Sequence, residues 1–499
     1  MDFLPSLPSW FRPITLLIFF PSILMYIIRR NRSQVKLPPG PRKLPVIGNL
    51  HQLVLSKDSI QQTLWNLSTT YGPAMLFHFG SQPFVVISSS EMAGEVLKTH
   101  DQKLCTRPYS QASKRLSFDY MDAAFSPHGD HWRDMRKVLV SEFLGPKRGR
   151  LYKNVMEIEM AGVLRSLSSL SFSTIVNLDD MFLNIVNEVV CKVTVGDSYS
   201  EKKFNGKTLK EIADETQVML SGSFSDVFPT FGPILDRLSG WNRRLENCYS
   251  DLDGFFQMVI DQHETKTTDR ENDFVDDCTS RLTTDELKAL LMNVVEGALD
   301  TTSITLVWAM SEIVKNPRVM QKLQNEIRSS VGKKSSVHES DITKMTYLKM
   351  VVKETLRLHP PAAFLMGREC VSPCQIGGYD VLPGMKIMVT SWGVGRDPRI
   401  WKEGPTEFRP ERFENAPLEY FGGSNFDMIP FGGGRRACPG YNMATSTAEF
   451  IIANLLYFFN WETPGGVKNE DLDMEEQGYP FLRRKTPLCL VPIKHNWQD

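Results

Sequence analysis

The chain has 499 residues, with 57 Lys and Arg against 58 Asp and Glu and a formal net charge of -1. This balance excludes the basic surface that a nucleic-acid-binding protein presents. Its 8 cysteines are scattered without paired Cys-x-x-Cys spacing, which argues against a secreted disulfide scaffold or a zinc site and predicts reduced thiols facing the cytosol. No repeat or Gly/Ser linker divides the chain after its N-terminus, so we expect one large core.

The N-terminus has the features of a membrane anchor. Residues 10–28 are mostly apolar, and four basic residues follow between 29 and 36. A run of about 20 residues can span a bilayer, and basic residues on its C-terminal side keep the following chain in the cytosol. A cleaved signal peptide is the alternative, but its charges would precede the apolar run. We expect residues 1–32 to be a retained single-pass anchor and the proline-rich run 33–48 to be a stiff, extended connector.

The next part of the chain predicts a hairpin and then a series of helices. Apolar residues alternate over 74–88 and are interrupted by Gly80-Ser-Gln-Pro83, a pattern typical of a β-hairpin. Residues 91–100 have a helical pattern, and 101–130 are predicted to be an irregular segment of the kind that often lines a site. Further helical patterns cover 155–170, 175–195, 209–220 and 241–263.

Another helix is predicted to begin at His131. It places Trp132 and Arg136 four residues apart and therefore on one face. Taken alone, this pattern indicates a solvated basic face with one core tryptophan.

A long apolar helix is predicted near residue 300. Thr283-Thr-Asp-Glu286 is a capping box, and the helix it opens runs to Lys315, before Pro317. At 1.5 Å per residue this helix is about 45 Å long, and because most of its faces are apolar it must cross the interior. Glu296-Gly-Ala-Leu-Asp-Thr-Thr302 lies inside it. Acids and hydroxyls there are costly unless they are functional or form a hydrogen-bonded kink.

Charged residues recur in two motifs after this helix. Lys353-Glu-Thr-Leu-Arg-Leu-His-Pro-Pro361 places Glu354 three residues before Arg357, which alone is an ordinary helical pair worth a few tenths of a kcal/mol. Phe408-Arg-Pro-Glu-Arg-Phe413 supplies Arg412, and Arg368 follows a loop at 360–367.

The segment Phe431-Gly-Gly-Gly-Arg-Arg-Ala-Cys-Pro-Gly440 predicts a metal-thiolate site. Its three consecutive glycines let the backbone pass close to a large flat ligand. Cys438 precedes a helix predicted at about 441–457, whose N-terminus stabilises a thiolate, and Arg436 can meet an anionic group. A buried core cysteine is one alternative. A phosphate loop is another, but no Lys-Ser/Thr follows the glycines.

The complete pattern Phe-x-x-Gly-x-Arg-x-Cys-x-Gly resembles the heme-binding loop of the cytochrome P450 superfamily. Motifs in the family's order extend from about residue 38 to 440, and the proline connector, Leu356-Arg-Leu-His-Pro-Pro361 and Pro410-Glu-Arg-Phe413 are most similar to the plant microsomal A-type, specialised-metabolism clade. The resemblance implies a mainly α fold with small β-sheets, preceded by one transmembrane helix. It makes residues 49–499 a heme-thiolate monooxygenase domain.

The resemblance also implies roles for individual residues. Cys438 would ligate the iron of heme b, and Asp300 and Thr301 would relay protons. The remaining cofactor-binding residues would be Trp132, Arg136, Arg368, Phe431 and Arg436, and the structural network would be Glu354, Arg357 and Arg412. The sequence departs from the family's usual pattern at Gly297-Ala298 and Leu299, which leaves the shape of the pocket above the iron open.

The function implied is oxidation of a lipophilic plant specialised metabolite, with a terpenoid or an alkaloid as the expected substrate. No flavin or nicotinamide motif is evident, so a separate NADPH-dependent reductase in the endoplasmic reticulum membrane would supply electrons, and the catalytic domain would face the cytosol. Two alternatives are an NADPH-independent isomerase or dehydratase and a non-catalytic membrane-anchored heme protein; the Asp300-Thr301 pair favours the oxygenase. The product is left open between an alcohol, an epoxide, a ring closure and a desaturation.

Overall fold

Most elements of the computed structural model are helices, and the strands form small sheets. This confirms the mainly α fold with small β-sheets. The structure describes residues 35–171, 173–196, 201–265, 273–415, 425–478 and 480–497. The predicted anchor at residues 1–32 lies outside the described residues, as do the first two residues of the connector at 33–48.

The helices surround a few short strands. In the first part of the chain they are α1 (Leu50–Leu55), α2 (Ile60–Tyr71), α3 (Ser90–Gly94), α4 (Asp101–Leu104), α5 (Gln111–Leu116), α6 (Asp130–Val138), α7 (Pro146–Ser168), α8 (Leu178–Val195), α9 (Leu209–Leu220), α10 (Phe224–Val227), α11 (Gly232–Leu238) and α12 (Trp241–Thr265). Wider π-helical turns continue α3 over Glu95–Thr99 and α6 over Leu139–Phe143.

The second part of the chain contains the longest helix. Its helices are α13 (Phe274–Thr279), α14 (Thr284–Lys315), α15 (Pro317–Val331), α16 (Glu339–Ile342), α17 (Thr346–Leu358), α18 (Ser391–Val394) and α19 (Tyr441–Phe458). Short 3-10 turns lie at Pro410–Phe413 and Gly434–Arg436.

The strands form one larger sheet and several minor ones. They are β1 (Ala74–Phe79), β2 (Gln82–Ile87), β3 (Val176–Asn177), β4 (Lys203–Phe204), β5 (Lys207–Thr208), β6 (Arg368–Glu369), β7 (Cys374–Ile376), β8 (Tyr379–Val381), β9 (Lys386–Val389), β10 (Phe459–Glu462), β11 (Glu476–Gln477), β12 (Arg483–Arg484) and β13 (Cys489–Lys494). The larger sheet has the order β1-β2-β9-β6, with β2 parallel to β9 and Arg368 opposite Ile387. The others are β10-β13-β3 and the pairs β4-β5, β7-β8 and β11-β12. The predicted hairpin is β1-β2, with Ala74 opposite Ile87.

Local end signals explain the helices that match their predicted bounds. Thr283 opens α14 by accepting from the backbone N–H of Glu286, whose carboxylate accepts from Thr283 N–H at 2.9 Å. Thr208 and Glu211 open α9 in the same way. These reciprocal bonds satisfy backbone donors that would otherwise lack partners.

Two sequence predictions were wrong in extent. Helix α7 begins at Pro146, earlier than the predicted 155. A proline is favourable in the first turn of a helix, but the polar residues that follow it show no apolar periodicity from which the earlier start could be predicted. The segment predicted to be irregular over 101–130 contains α4 and α5. These helices are four and six residues long, too short to show a clear hydrophobic period.

Helix α14 lies at the centre of the core. It packs against α8, α17 and α19, and Trp308 near its C-terminal end is fully buried. Among the described residues, α14 is the one helix long and apolar enough to cross a membrane. However, 72% of the apolar 18-residue stretch within it is buried inside the fold. It is therefore placed as a core helix, and it brings Asp300 and Thr301 into the interior.

Candidate functional site

The cysteine loop takes a conformation that requires glycine. Gly432 has φ +70° and Gly434 has φ +65°, the left-handed region that disfavours side chains. A Cβ on Gly434 would also collide with the backbone oxygen of Leu97 and the carboxylate of Asp101. The loop is thus pressed against the turn after α3 and the start of α4.

Cys438 is held at the end of this loop, three residues before α19. Its backbone N–H donates to the carbonyl of Phe431 at 2.9 Å, so Phe431 positions the cysteine through its main chain. Burial raises the pKa of the Cys438 thiol, while the backbone N–H of Gly440 and the guanidinium of Arg136 oppose that rise. The two opposing groups favour a thiolate, and a bound metal cation would deprotonate the thiol outright.

Arg436 and Trp132 pack together beside the loop. The Arg436 guanidinium lies 4.3 Å from the centre of the Trp132 ring, and its nitrogens donate to the carbonyls of Cys105 at 2.8 Å and Ser126 at 2.6 Å. The Trp132 indole N–H donates to the carbonyl of Ala123 at 3.1 Å. Helix α6 and the cysteine loop are therefore joined through the segment between α4 and α6.

Two further predicted arginines reach the same loop. Arg136 donates to the carbonyl of Ala437 at 2.6 Å. Arg368, at the edge of the larger sheet, donates to the carbonyl of Gly433 at 2.7 Å and to the Asp101 carboxylate at 2.8 Å. The structure thus brings together the arginines that lie far apart in the sequence.

Arg107 also belongs to this cluster and was missed by the sequence analysis. It donates to the carbonyls of Met366, Gly367 and Ala124. Burial, together with the nearby positive charges of Arg436 and Arg368, lowers the pKa of Arg107 well below its usual value. No periodic or motif signal marked it within residues 101–130, because its partners are carbonyls that only the folded chain brings near.

The charge of this cluster fits the heme group that the resemblance implies. Burial lowers the pKa of Arg436 to about 10, and Arg368 and Arg136 add repulsion. Asp101 and Asp122 lie in the same cluster, and Asp101 is ion-paired with Arg368 at 2.8 Å, so two acids stand against the four arginines Arg107, Arg136, Arg368 and Arg436. Two carboxylates of a bound cofactor would relieve the repulsion through charge-assisted hydrogen bonds. Together with a thiol as the softest donor present, this donor set suits heme b with its two propionates.

One stripe of α14 borders open space. Between Leu287 and Val314 every residue is buried except Asn293, Glu296 to Ala298, and Thr301. A Cβ on Gly297 would meet no heavy atom within 4 Å. Because Gly297 and Thr301 are one turn apart, the helix presents a single open face at its middle.

Asp300 and Thr301 point to different surroundings. The Thr301 hydroxyl donates to the carbonyl of Gly297 at 2.7 Å, so its lone pairs face outward from the helix. Asp300 is buried, with one oxygen 2.6 Å from Arg483 and the other accepting from the amide of Gln217. The two residues do not contact each other through their side chains here, since successive helix positions differ by about 100°. Gln217 and Arg483 had no signal in the sequence.

The remaining predicted residues form a network behind the cysteine loop. Both oxygens of Glu354 accept from Arg357 at 2.7 Å, and one also accepts from Arg412 at 3.1 Å. Arg357 in turn donates to the carbonyls of Gly395 and Pro405. These contacts join α17 to the segments after α18 and around residue 410, which is a scaffolding arrangement.

Comparisons with known proteins give matches over nearly the whole chain. The family model described as Cytochrome P450 matches residues 38–490. Parthenolide synthase of Tanacetum parthenium is 54% identical over 99% of this chain and 100% of its own length. Eupatolide synthase of Helianthus annuus is 50% identical over the whole of both chains. The 4-hydroxyphenylacetaldehyde oxime monooxygenase of Sorghum bicolor is 41% identical over 96% of this chain and 95% of its own.

Proposed function

Because the chain belongs to the cytochrome P450 family, we propose that it oxidises a plant terpenoid of the sesquiterpene lactone class at a heme held by Cys438. It is a monooxygenase of the plant A-type clade. The family uses heme with a cysteine thiolate ligand and electrons from NADPH through a reductase. The isomerase or dehydratase and the non-catalytic alternatives are not favoured by the comparisons.

The cysteine loop is the observation that carries this proposal. Cys438 lies before the N-terminus of α19, with its backbone bonded to Phe431 and Arg136 near its thiol. Heme bound there supplies the activation of dioxygen, and the thiolate donates electron density that favours O–O cleavage. The chain's part is to hold the ligand sulfur in one place, which the positive φ angles of Gly432 and Gly434 make possible.

The basic cluster orients the cofactor. Trp132, Arg136, Arg368 and Arg436 surround the loop, and Arg107 adds a fifth group. Planar guanidinium groups bind carboxylates in a fixed geometry, so these arginines would hold the two propionates while Cys438 would hold the iron. Phe431 would support the cysteine from within the loop, since its carbonyl accepts from the Cys438 N–H at 2.9 Å and its ring lies 6.2 Å from that of Tyr441 at the start of α19.

Asp300 and Thr301 would deliver protons along α14. The Thr301 hydroxyl lies on the open stripe and, while donating to Gly297, can accept a proton from the open side. Asp300 is the acid beside it, and its partner Arg483 has a side chain that is 42% exposed. Asp300 would therefore carry protons inward from a solvent-facing ion pair, while Thr301 holds them at the reacting atom.

The substrate class rests on the relatives. Two of them, half identical or more over their full length, are named for parthenolide and eupatolide, and a substrate of the same class would be a largely apolar molecule. The small residues Gly297 and Ala298 on the open stripe of α14 leave room for such a molecule, since a Cβ on Gly297 would meet no heavy atom within 4 Å. Orientation above the iron would then decide which bond reacts.

The partner and the location are proposals as well. A separate NADPH-dependent reductase would deliver electrons, and both proteins would be held on the endoplasmic reticulum membrane. The domain at 49–499 would face the cytosol, carried by the anchor at 1–32 and the connector at 33–48. The basic residues after the apolar run support this topology.

The test uses microsomes that contain the full chain and a plant reductase. The wild type should show the thiolate-type band of the reduced carbon-monoxide spectrum and should convert members of a sesquiterpene lactone panel only with NADPH. Cys438→Ser should lose that band and the product. Cys489→Ser, a partly exposed cysteine in β13, is the matched control and should keep both. Conversion of alkaloids but not of lactones would refute the substrate class, and a thiolate band in Cys438→Ser would refute the ligand.

A further inference from the structure

Glu296 on α14 has no role in the site described so far. Both of its carboxyl oxygens are buried, and neither makes a hydrogen bond within the described part of the chain. A buried polar group without a partner is costly. Its position, one turn before Asp300 on the same helix, places the two carboxyl groups side by side.

Acidic and neutral side chains from three helices lie near Glu296. Asp300 lies on the same helix, Asp214 and Gln217 come from α9, and Cys248 comes from α12. Burial raises the pKa of Cys248 to about 11, so that this thiol is neutral. Gln217 donates to Asp300 and also lies within hydrogen-bonding reach of Glu296, where it opposes the rise in the pKa of Glu296. A nearby cation is Arg483 of β12, which is paired with Asp300.

The two acids of α14 have different partners. Asp300 is ion-paired with Arg483 at 2.6 Å and accepts a hydrogen bond from Gln217, whereas both buried oxygens of Glu296 lack a hydrogen bond within the described part of the chain. A buried carboxyl without a partner is far less costly as the neutral acid than as the carboxylate. Burial, followed by the charges of Asp300 and Asp214, accordingly raises the pKa of Glu296 well above its usual value.

We propose that Glu296 and Asp300 form a two-carboxyl unit in which Glu296 stores the proton that replaces the one delivered through Asp300. This inference rests on the proposed function, because it supplies the acid that Asp300 draws on. Glu296 acts through Asp300, to which it passes its proton.

The transfer is balanced within the unit. The O–H bond of Glu296 breaks, an O–H bond forms on Asp300, and the negative charge moves from Asp300 to Glu296, so the net charge of the cluster does not change. The proton passes directly between the two carboxyl groups, one helical turn apart, because passage through the Gln217 amide would leave that side chain as its imidic acid tautomer. Water then reprotonates Glu296 from the side of Asp214 and Arg483, whose side chains are exposed and half-exposed.

The first experiment measures the proton directly in the purified full-length holoenzyme. Infrared spectra should show the carbonyl band of a buried protonated carboxyl at neutral pH, and Glu296→Gln should remove it. Asp300→Asn should leave the band but shift its titration to lower pH, because the negative charge of Asp300 is one of the causes that raise the pKa of Glu296. A band that persists in Glu296→Gln overturns the proposal.

The second experiment measures proton delivery during turnover. Glu296→Gln should lower the fraction of NADPH that yields product by up to about tenfold and should raise the solvent deuterium isotope effect. Glu296→Asp should restore both, while Asp285→Asn, an exposed acid at the start of α14, should change neither. The substrate-induced spectral shift should stay the same in all of them.

Two other outcomes are decisive. If Glu296→Gln weakens the substrate-induced shift and leaves coupling and isotope effect unchanged, Glu296 is a substrate contact and the proposal is refuted. If the wild type forms no product with NADPH, the proposed function fails, and the infrared band still decides whether Glu296 holds the proton.

Discussion

Replacing Glu354 by glutamine tests the buried network behind the cysteine loop. Glu354 and Arg357 are fully buried, and two bonds of 2.7 Å join them. Glu354→Gln keeps the shape of the side chain but leaves the Arg357 charge without its counter-charge. Breaking a buried pair in this way costs about 3–5 kcal/mol. The free energy of unfolding, measured with urea by far-ultraviolet circular dichroism, should fall by that amount.

Glu339→Gln is the matched control. Glu339 pairs with Lys153 at 2.6 Å, but both side chains are about half exposed. An exposed pair is worth about 0–1 kcal/mol because water screens it. The two substitutions thus remove the same chemical group from ion pairs of similar length, and they differ in burial. Equal and small losses in both variants would falsify the reasoning, since burial would then not decide the cost.

Three further predictions concern the loop, the open stripe and a buried histidine. Gly434→Ala should abolish heme incorporation, measured by absorbance of the purified protein, because Gly434 has a positive φ and an added Cβ would collide with Asp101 of α4. Gly440→Ala is the control and should retain heme, because a Cβ on Gly440 would meet no heavy atom within 4 Å. Thr301→Ala should lower product formed per NADPH by about tenfold or more, and equal coupling in wild type and variant would contradict its role. Burial lowers the pKa of His263, but its hydrogen bonds to Asp273 and to a backbone carbonyl outweigh burial and raise the pKa. The stability that the His263 imidazolium contributes is therefore complete below about pH 6.5 and is lost as pH rises through the pKa of the folded state. His263→Gln should therefore cost more stability in acid than in alkaline solution, and a cost independent of pH would count against the pair.

The parts of the fold that the sequence predicted well have local causes. Helix α14 matches its predicted bounds because a capping box starts it and Pro317 follows its end, and both signals act within a few residues. Helix α7 was predicted too short because its first two turns are polar and its start depends on a proline and on packing against α8. Helix ends that depend on neighbouring residues can be predicted from the sequence, whereas helix ends that depend on packing cannot, because the packing residues are distant in sequence.

The site shows the same division. The glycines and Cys438 lie within ten residues, so the sequence by itself determined the ligand loop, and the acid and hydroxyls of α14 were visible as an interruption in an apolar helix. Only the tertiary structure decided which groups face them. Gln217 and Arg483 reach Asp300 from α9 and β12, and Arg107 joins the basic cluster through backbone carbonyls. The two carboxyl oxygens of Glu296 are buried without a hydrogen bond to any residue that the structure describes. Such pairings depend on how helices cross, and because a carboxyl's protonation is set by its neighbours in space, no pattern along the chain could assign it.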